Sequence, residues 1–63
     1  MKMITVDVLV WYKDSKGEEL FSSSERTMFE HDVQWCCKQF AQVNQGQCAI
    51  YYGEEKIADF DAR

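Results

Sequence analysis

An amphipathic pattern runs through residues 31–44, which read HDVQWCCKQFAQVN. Its apolar side chains recur at intervals of three and four residues, the spacing that aligns them on one face of an α-helix. They are Val33, Cys36, Cys37, Phe40 and Ala41. His31 or Asp32 can act as the N-cap, and Asn44-Gln45-Gly46 is typical of a helix end because Asn and Gly tolerate left-handed backbone. The pattern therefore predicts one helix over residues 31–44.

The start of this helix has a second interpretation. Thr27 and Glu30 have the spacing of a capping box, in which two side chains satisfy free N–H groups of the first helical turn. Phe29 also falls on the apolar stripe. The helix therefore begins either near residue 31 or one turn earlier, and the sequence leaves both alternatives open.

The chain before the helix is predicted to form a β-hairpin. Residues 3–12 are rich in β-branched and aromatic side chains and alternate with a period of two. The aliphatic side should face the core, and it carries Ile4, Val6, Val8 and Val10. The mixed side should be partly wet, and it carries Thr5, Asp7, Leu9 and Trp11. Residues 13–17 have turn composition, and a second strand of undetermined register follows within residues 19–29.

The chain after the helix supplies two more predicted strands, over residues 47–52 and 56–61, with a turn at residues 53–55. The order ββαββ predicts an α+β fold, in which an antiparallel sheet carries one helix packed on one face. One helix cannot cover both faces of a four-stranded sheet. The open face, with Leu9 and Trp11 on it, is therefore a candidate contact surface.

Length and charge restrict the function. A chain of 63 residues predicts a single domain over residues 1–63 with a thin core, too small to enclose a deep dry pocket, which argues against an enzyme. The formal net charge is −4 and no run of Lys or Arg occurs, which disfavours direct nucleic-acid binding. An acidic surface suits a basic protein partner. The alternative is that the charge only keeps the protein soluble.

The reactive side chains suggest neither catalysis nor metal binding. Cys36, Cys37 and Cys48 are odd in number and two are adjacent, so we expect reduced thiols in a cytosolic protein rather than a disulfide framework. His31 and Cys36 are five residues apart, whereas side chains that meet on a helix are three or four residues apart. The spacings typical of zinc ligands are absent. No catalytic residue, metal or cofactor is predicted, and the cysteines are interpreted as small core hydrophobes. The sequence lacks a signal peptide and an apolar run long enough for a membrane span.

Trp35 does not fit the amphipathic pattern. On a helical wheel it falls roughly 200° from the centre of the apolar stripe, with Lys38, Gln39 and Gln42 as neighbours. A tryptophan ringed by polar groups is typical of an interface anchor. The alternative is that the ring folds back onto the segment of residues 19–25. Trp11 has two interpretations as well, since it either caps the sheet edge or contacts a partner.

Two motifs of the helix resemble a known family. Asp32-Val33-Gln34-Trp35 and the run QFAQVN over residues 39–44 are similar to the Dmd family, the discriminator of mRNA degradation antitoxins of T-even-type phages. The strand ending in Trp11-Tyr12-Lys13 and the acidic tail around Asp59 are also similar. The chain departs from the family in a longer segment over residues 14–24, in Cys36-Cys37-Lys38, and in Gln45-Gly46 at the helix exit.

The resemblance implies a phage antitoxin that enters a groove of a host RNase toxin of the RnlA/LsoA type in the host cytoplasm and protects phage mRNA. It implies that Trp35 and Asn44 contribute to the toxin contact. We expect Gln39 and Gln42 to form hydrogen bonds around Trp35, and Asp32 and Glu30 to meet basic groups. One alternative is an inhibitor of another host protein. The other is a structural homo-oligomer, such as a weak homodimer, that uses the open sheet face.

Overall fold

The computed structural model describes all residues, 1–63. The elements are β1 (Met3–Lys13), β2 (Glu19–Phe29), a 3-10 turn (Glu30–Asp32), α1 (Val33–Asn44), β3 (Gln47–Tyr52) and β4 (Glu55–Asp61). The strands form one antiparallel sheet in the order β2-β1-β3-β4. The predicted α+β class and the order ββαββ are therefore confirmed. β4 begins one residue before the predicted position.

The hairpin of β1 and β2 is regular along its whole length. Each strand contributes 11 residues, and every residue is paired from Met3 opposite Phe29 to Lys13 opposite Glu19. The turn fixes this register, since Oδ1 of Asp14 accepts hydrogen bonds from the N–H groups of Lys16 at 2.8 Å and Glu18 at 2.9 Å. The register could not be predicted because the serines of β2 carry little hydrophobic pattern.

The start of the helix agrees with the alternative near residue 31, with Asp32 rather than His31 as the N-cap. The start one turn earlier is wrong because β2 continues to Phe29, and Thr27 lies opposite Thr5 with their hydroxyls 3.0 Å apart. His31 lies in the 3-10 turn, and the α-helix proper starts at Val33. Asp32 occupies the N-cap position, but its side chain makes no capping hydrogen bond.

The helix ends at Asn44, as predicted, but with a different residue in the left-handed conformation. Gln45 has φ 52° and ψ 42°, and its N–H donates to the carbonyl of Gln42 at 3.2 Å. Gly46 is needed for space instead, since a Cβ there would lie 2.0 Å from the carbonyl oxygen of Trp11. The prediction that Asn or Gly supplies the left-handed residue is therefore wrong.

The core is one cluster of buried side chains from the helix and three strands. Its members are Ile4, Val6, Val8, Val10, Val33, Cys37, Ala41, Cys48, Ile50 and Ala58. The thiol of Cys37 donates to the carbonyl of Cys48 at 3.3 Å. The interpretation of the cysteines as core residues is confirmed for Cys37 and Cys48, whereas Cys36 is half-buried. The single helix is too short and too polar to cross a membrane.

Candidate functional site

The indole of Trp35 is exposed on the outer side of α1. The residue retains 63% of its accessible surface, while Val33 and Cys37 of the same helix are buried. Burying an aromatic side chain of this size is strongly favourable, so an isolated chain has a free-energy cost for leaving it in water. This exposure agrees with the predicted wheel position and is incompatible with a ring packed under residues 19–25.

Around Trp35 lies a mixed polar and apolar surface, which we call the Trp35 face. Its members are Trp35, Lys38, Gln39, Gln42 and Val43. Lys38 and Gln42 are exposed, whereas Gln39 is half-buried. Val43 is 80% exposed and was not predicted as a site residue. Its wheel position, about 80° from Trp35 and off the buried stripe, could have identified it.

Asn44 lies at the end of α1 but outside the Trp35 face. It is half-buried, and its Nδ2 donates to the backbone carbonyl of Phe40 at 2.8 Å. A bond from a polar side chain to the carbonyl four residues earlier is a common local contact in helices. The amide oxygen accepts no hydrogen bond within the chain. Asn44 can therefore offer a partner its amide oxygen as an acceptor and its second amide N–H as a donor.

Asp32 places a carboxylate at the start of the helix. Its Oδ1 lies 3.3 Å from Nε2 of His31, and its side chain is half-exposed. A negative group here is favoured by the helix dipole. Glu30 stands nearby and reaches Nζ of Lys2 at 4.0 Å. These contacts are solvent-exposed and therefore weak, so both carboxylates remain available to a basic partner.

Trp11 belongs to a different surface. It alternates along β1 with buried Val10, so its side chain leaves the sheet on the opposite face. Its ring packs against Phe21 of β2 with centroids 5.5 Å apart and an interplanar angle of 46°. Phe21 is 54% exposed. The sequence could not place it beside Trp11 because the register of β2 was undetermined. Thus Trp11 and Trp35 do not form one cluster.

The thiols are protected from ionisation. Burial, and then the hydrogen bond with Cys48, raise the pKa of the Cys37 thiol to about 12. Burial also raises the pKa of Cys48, and burial together with the charge of Asp32 raises that of Cys36. Reactive cysteines have lowered pKa values, so none of these is prepared as a nucleophile. No group of three or more His, Cys, Asp or Glu side chains is arranged to hold a metal ion.

Comparison with known proteins identifies the family. A family model described as Dmd, discriminator of mRNA degradation, matches residues 1–63. The chain belongs to the Dmd family. It is 32% identical over 63 residues to antitoxin Dmd of Enterobacteria phage T4, across 100% of this chain and 98% of that protein. The resemblance carried by the helix motifs is therefore confirmed.

A solved structure of a Dmd protein has the same fold. The crystal structure of Escherichia coli toxin LsoA in complex with T4 phage antitoxin Dmd contains a chain that matches with a TM-score of 0.78 and 27% identity. The match covers 95% of this chain and 98% of that one. This chain therefore has the same fold as the Dmd chain of that complex.

Proposed function

We propose that this protein is a phage antitoxin that binds a host RNase toxin of the RnlA/LsoA type and prevents RNA cleavage, so that phage mRNA survives. The observation that carries the proposal is the near full-length match to a Dmd chain solved in complex with LsoA. Residues 1–63 act as a single antitoxin domain in the host cytoplasm. The protein works by occupying the toxin and not by catalysis, and no cofactor takes part.

The arrangement of helix and sheet supports insertion into a groove. We infer that α1 covers the sheet face that carries the buried side chains of β1, because both contribute to one core cluster. The Trp35 face then points to one side of the molecule, and the pair Trp11–Phe21 to the other. A toxin that contacts only the helix would make no contact with Trp11. A groove with two walls can contact both surfaces.

Trp35 is the anchor in this mechanism. Its indole enters an apolar pocket of the toxin, and the exposed side chain of Val43 extends the apolar contact. Gln39 and Gln42 donate and accept hydrogen bonds around the rim, and Asn44 accepts one near the helix exit. Truncation of a central anchor typically costs about 2–4 kcal/mol of binding free energy. That loss weakens affinity roughly 30- to 1000-fold.

Charge supports the same partner. The groove of an RNase must attract phosphates and is therefore basic, whereas this chain has a formal net charge of −4. Asp32 and Glu30 place carboxylates beside the Trp35 face, where they can pair with basic groups that otherwise hold RNA. Such complementarity increases the association rate and depends on ionic strength.

Co-expression with the toxin tests the proposal. We expect the wild-type chain to restore growth and stabilise mRNA in cells that express LsoA, and Trp35→Ala to lose that protection. Tyr52→Ala is the matched control, since it removes another exposed aromatic side chain, at the end of β3. Full RNA decay in the presence of a folded wild-type chain would contradict the proposal. Capture of a different host protein from lysate by that chain would then favour the alternative inhibitor.

A further inference from the structure

The two edges of the sheet are protected to different degrees. Edge strands expose unpaired backbone groups, and proteins protect them with lysine, proline, bulges or short length. β4 has such protection, because its ladder with β3 is interrupted between Ile50 and Tyr51 and Lys56 lies on it. β2 has less protection, since its charged side chains are limited to Glu19, Glu25 and Arg26. It is 11 residues long, carries neither Lys nor Pro, and pairs with β1 without a break.

Exposed apolar side chains lie at both ends of β2. Leu20, Phe21 and Phe29 retain 38%, 54% and 37% of their accessible surface. Between Phe21 and Phe29 lie three serines at positions 22–24. An edge that is long, regular and apolar at both ends is suited to pairing with another strand.

We propose that β2 pairs antiparallel with β2 of a second copy of this chain, in the register centred on Ser24. The strand runs from Glu19 to Phe29, so Ser24 is its midpoint and this register pairs all 11 residues. The product is a continuous eight-stranded sheet with a two-fold axis through the Ser24 pair. The interface is distinct from the Trp35 face, and the inference goes beyond the proposed antitoxin function.

The register makes β2 complementary to itself. On one face, Leu20 of each copy lies opposite Met28 of the other. The dimer therefore contains two identical apolar pairs on this face. On the other face, Phe21 lies opposite Thr27, an aromatic and β-branched pair of the kind that stabilises sheets. No charged residue of β2 lies directly opposite a like charge: Glu19 faces Phe29, Glu25 faces Ser23, and Arg26 faces Ser22.

One repulsion limits the strength of the dimer. The two Glu25 side chains are diagonal neighbours across the axis, a separation of about 7–8 Å. Within each copy Glu25 also lies opposite Asp7, and no cation pairs with either carboxylate. Four carboxylates therefore cluster on one face of the dimer. We expect weak association that is strengthened by salt, because salt screens exposed charges.

Substitutions at Ser23 test the register directly. Ser23 is exposed and faces Glu25 of the second copy, so Ser23→Lys creates two opposite-charge pairs and Ser23→Glu creates two like-charge pairs. Cross-strand charge pairs of this kind change the dimerisation constant by roughly 2- to 30-fold for two symmetric copies, upwards for Lys and downwards for Glu. Ser15→Lys and Ser15→Glu are matched controls, because they alter net charge equally in the exposed hairpin turn.

The measurement is sedimentation equilibrium of the full chain over a wide range of concentrations, with a reductant present to exclude disulfides through Cys36. We expect self-association that increases with Ser23→Lys and decreases with Ser23→Glu, while the two Ser15 variants differ less from each other. Far-UV circular dichroism confirms that each variant is folded. A Ser23→Lys variant that stays monomeric at millimolar concentration, or equal effects of the Ser15 and Ser23 pairs, would overturn the proposal.

Discussion

Trp35 and Asn44 lie on opposite sides of α1. Nine residues separate them, which corresponds to about 180° around the helix and about 14 Å along it. The structure agrees, since the Trp35 side chain is exposed whereas Asn44 is half-buried and bonded to the carbonyl of Phe40. The two side chains cannot enter one pocket. If both contact the toxin, they contact separate parts of it.

The separation predicts additive effects on toxin binding. We expect the losses of binding free energy in Trp35→Ala and Asn44→Ala to sum in the double variant within about 0.5 kcal/mol, since distant sites without shared partners rarely couple. Isothermal titration calorimetry with the purified toxin measures the binding free energies of the wild type, the two single variants and the double variant. A coupling above about 1 kcal/mol would show that the two residues act on one shared element of the toxin.

Gly46 is predicted to be the glycine that tolerates substitution least. A Cβ there would meet the Trp11 carbonyl oxygen at 2.0 Å, and backbone atoms of Trp11 and Tyr12 at 3.0 Å, so β1 or the helix exit must move. We expect Gly46→Ala to lower the free energy of unfolding by more than about 2 kcal/mol.

Urea denaturation gives that value, and Gly53→Ala is the matched control. Gly53 has φ +64° but open space around its Cβ position, so only backbone strain of roughly 1–2 kcal/mol is expected. A Gly46→Ala variant as stable as Gly53→Ala would show that the contact with β1 relaxes without cost.

The raised pKa of the Cys37 thiol predicts that the folded protein loses stability in alkali. Its pKa is about 12 in the folded protein because of burial and the hydrogen bond with Cys48, against 9.0 for an unperturbed thiol. The folded state therefore binds more protons than the unfolded state between these values. The contribution of Cys37 is complete below pH 9.0 and is lost as the pH rises towards about 12.

The measurement is the free energy of unfolding against pH, compared between wild type and Cys37→Ala. We expect the wild-type curve to fall more steeply above pH 9.0, by up to about 1.4 kcal/mol per pH unit. Cys37→Ala is less stable than wild type at neutral pH because the substitution leaves a cavity in the core. The comparison therefore concerns the slope of the free energy of unfolding against pH. Equal slopes would mean that the thiol ionises as readily in the folded state as in the unfolded chain.

Most of the fold could be predicted because its elements have clear hydrophobic periods. The alternation of β1 and the stripe of α1 identified the buried residues Val6, Val8, Val33 and Cys37 correctly. The start of α1 was predicted less well than its end, since Thr27 fits a capping pattern but pairs with Thr5 in the hairpin. Tertiary pairing outweighed the local signal there.

The candidate site could be predicted only in part. Trp35 is identified by its wheel position, because a helix fixes the direction of each side chain relative to the core. The position of Phe21 depends on the register of a strand whose serines carry no hydrophobic pattern, and that register is set by the hydrogen bonds of the Asp14 turn. The roles of Asn44, Asp32, Gln39 and Gln42 depend on the surface of the toxin and stay predictions.

The affinity of Trp35→Ala for purified LsoA tests the anchor role of the exposed indole. We predict binding weaker than wild type by roughly 30- to 1000-fold, with Tyr52→Ala within about threefold of wild type. A Trp35→Ala variant that is folded by circular dichroism and binds the toxin as tightly as wild type would contradict this account.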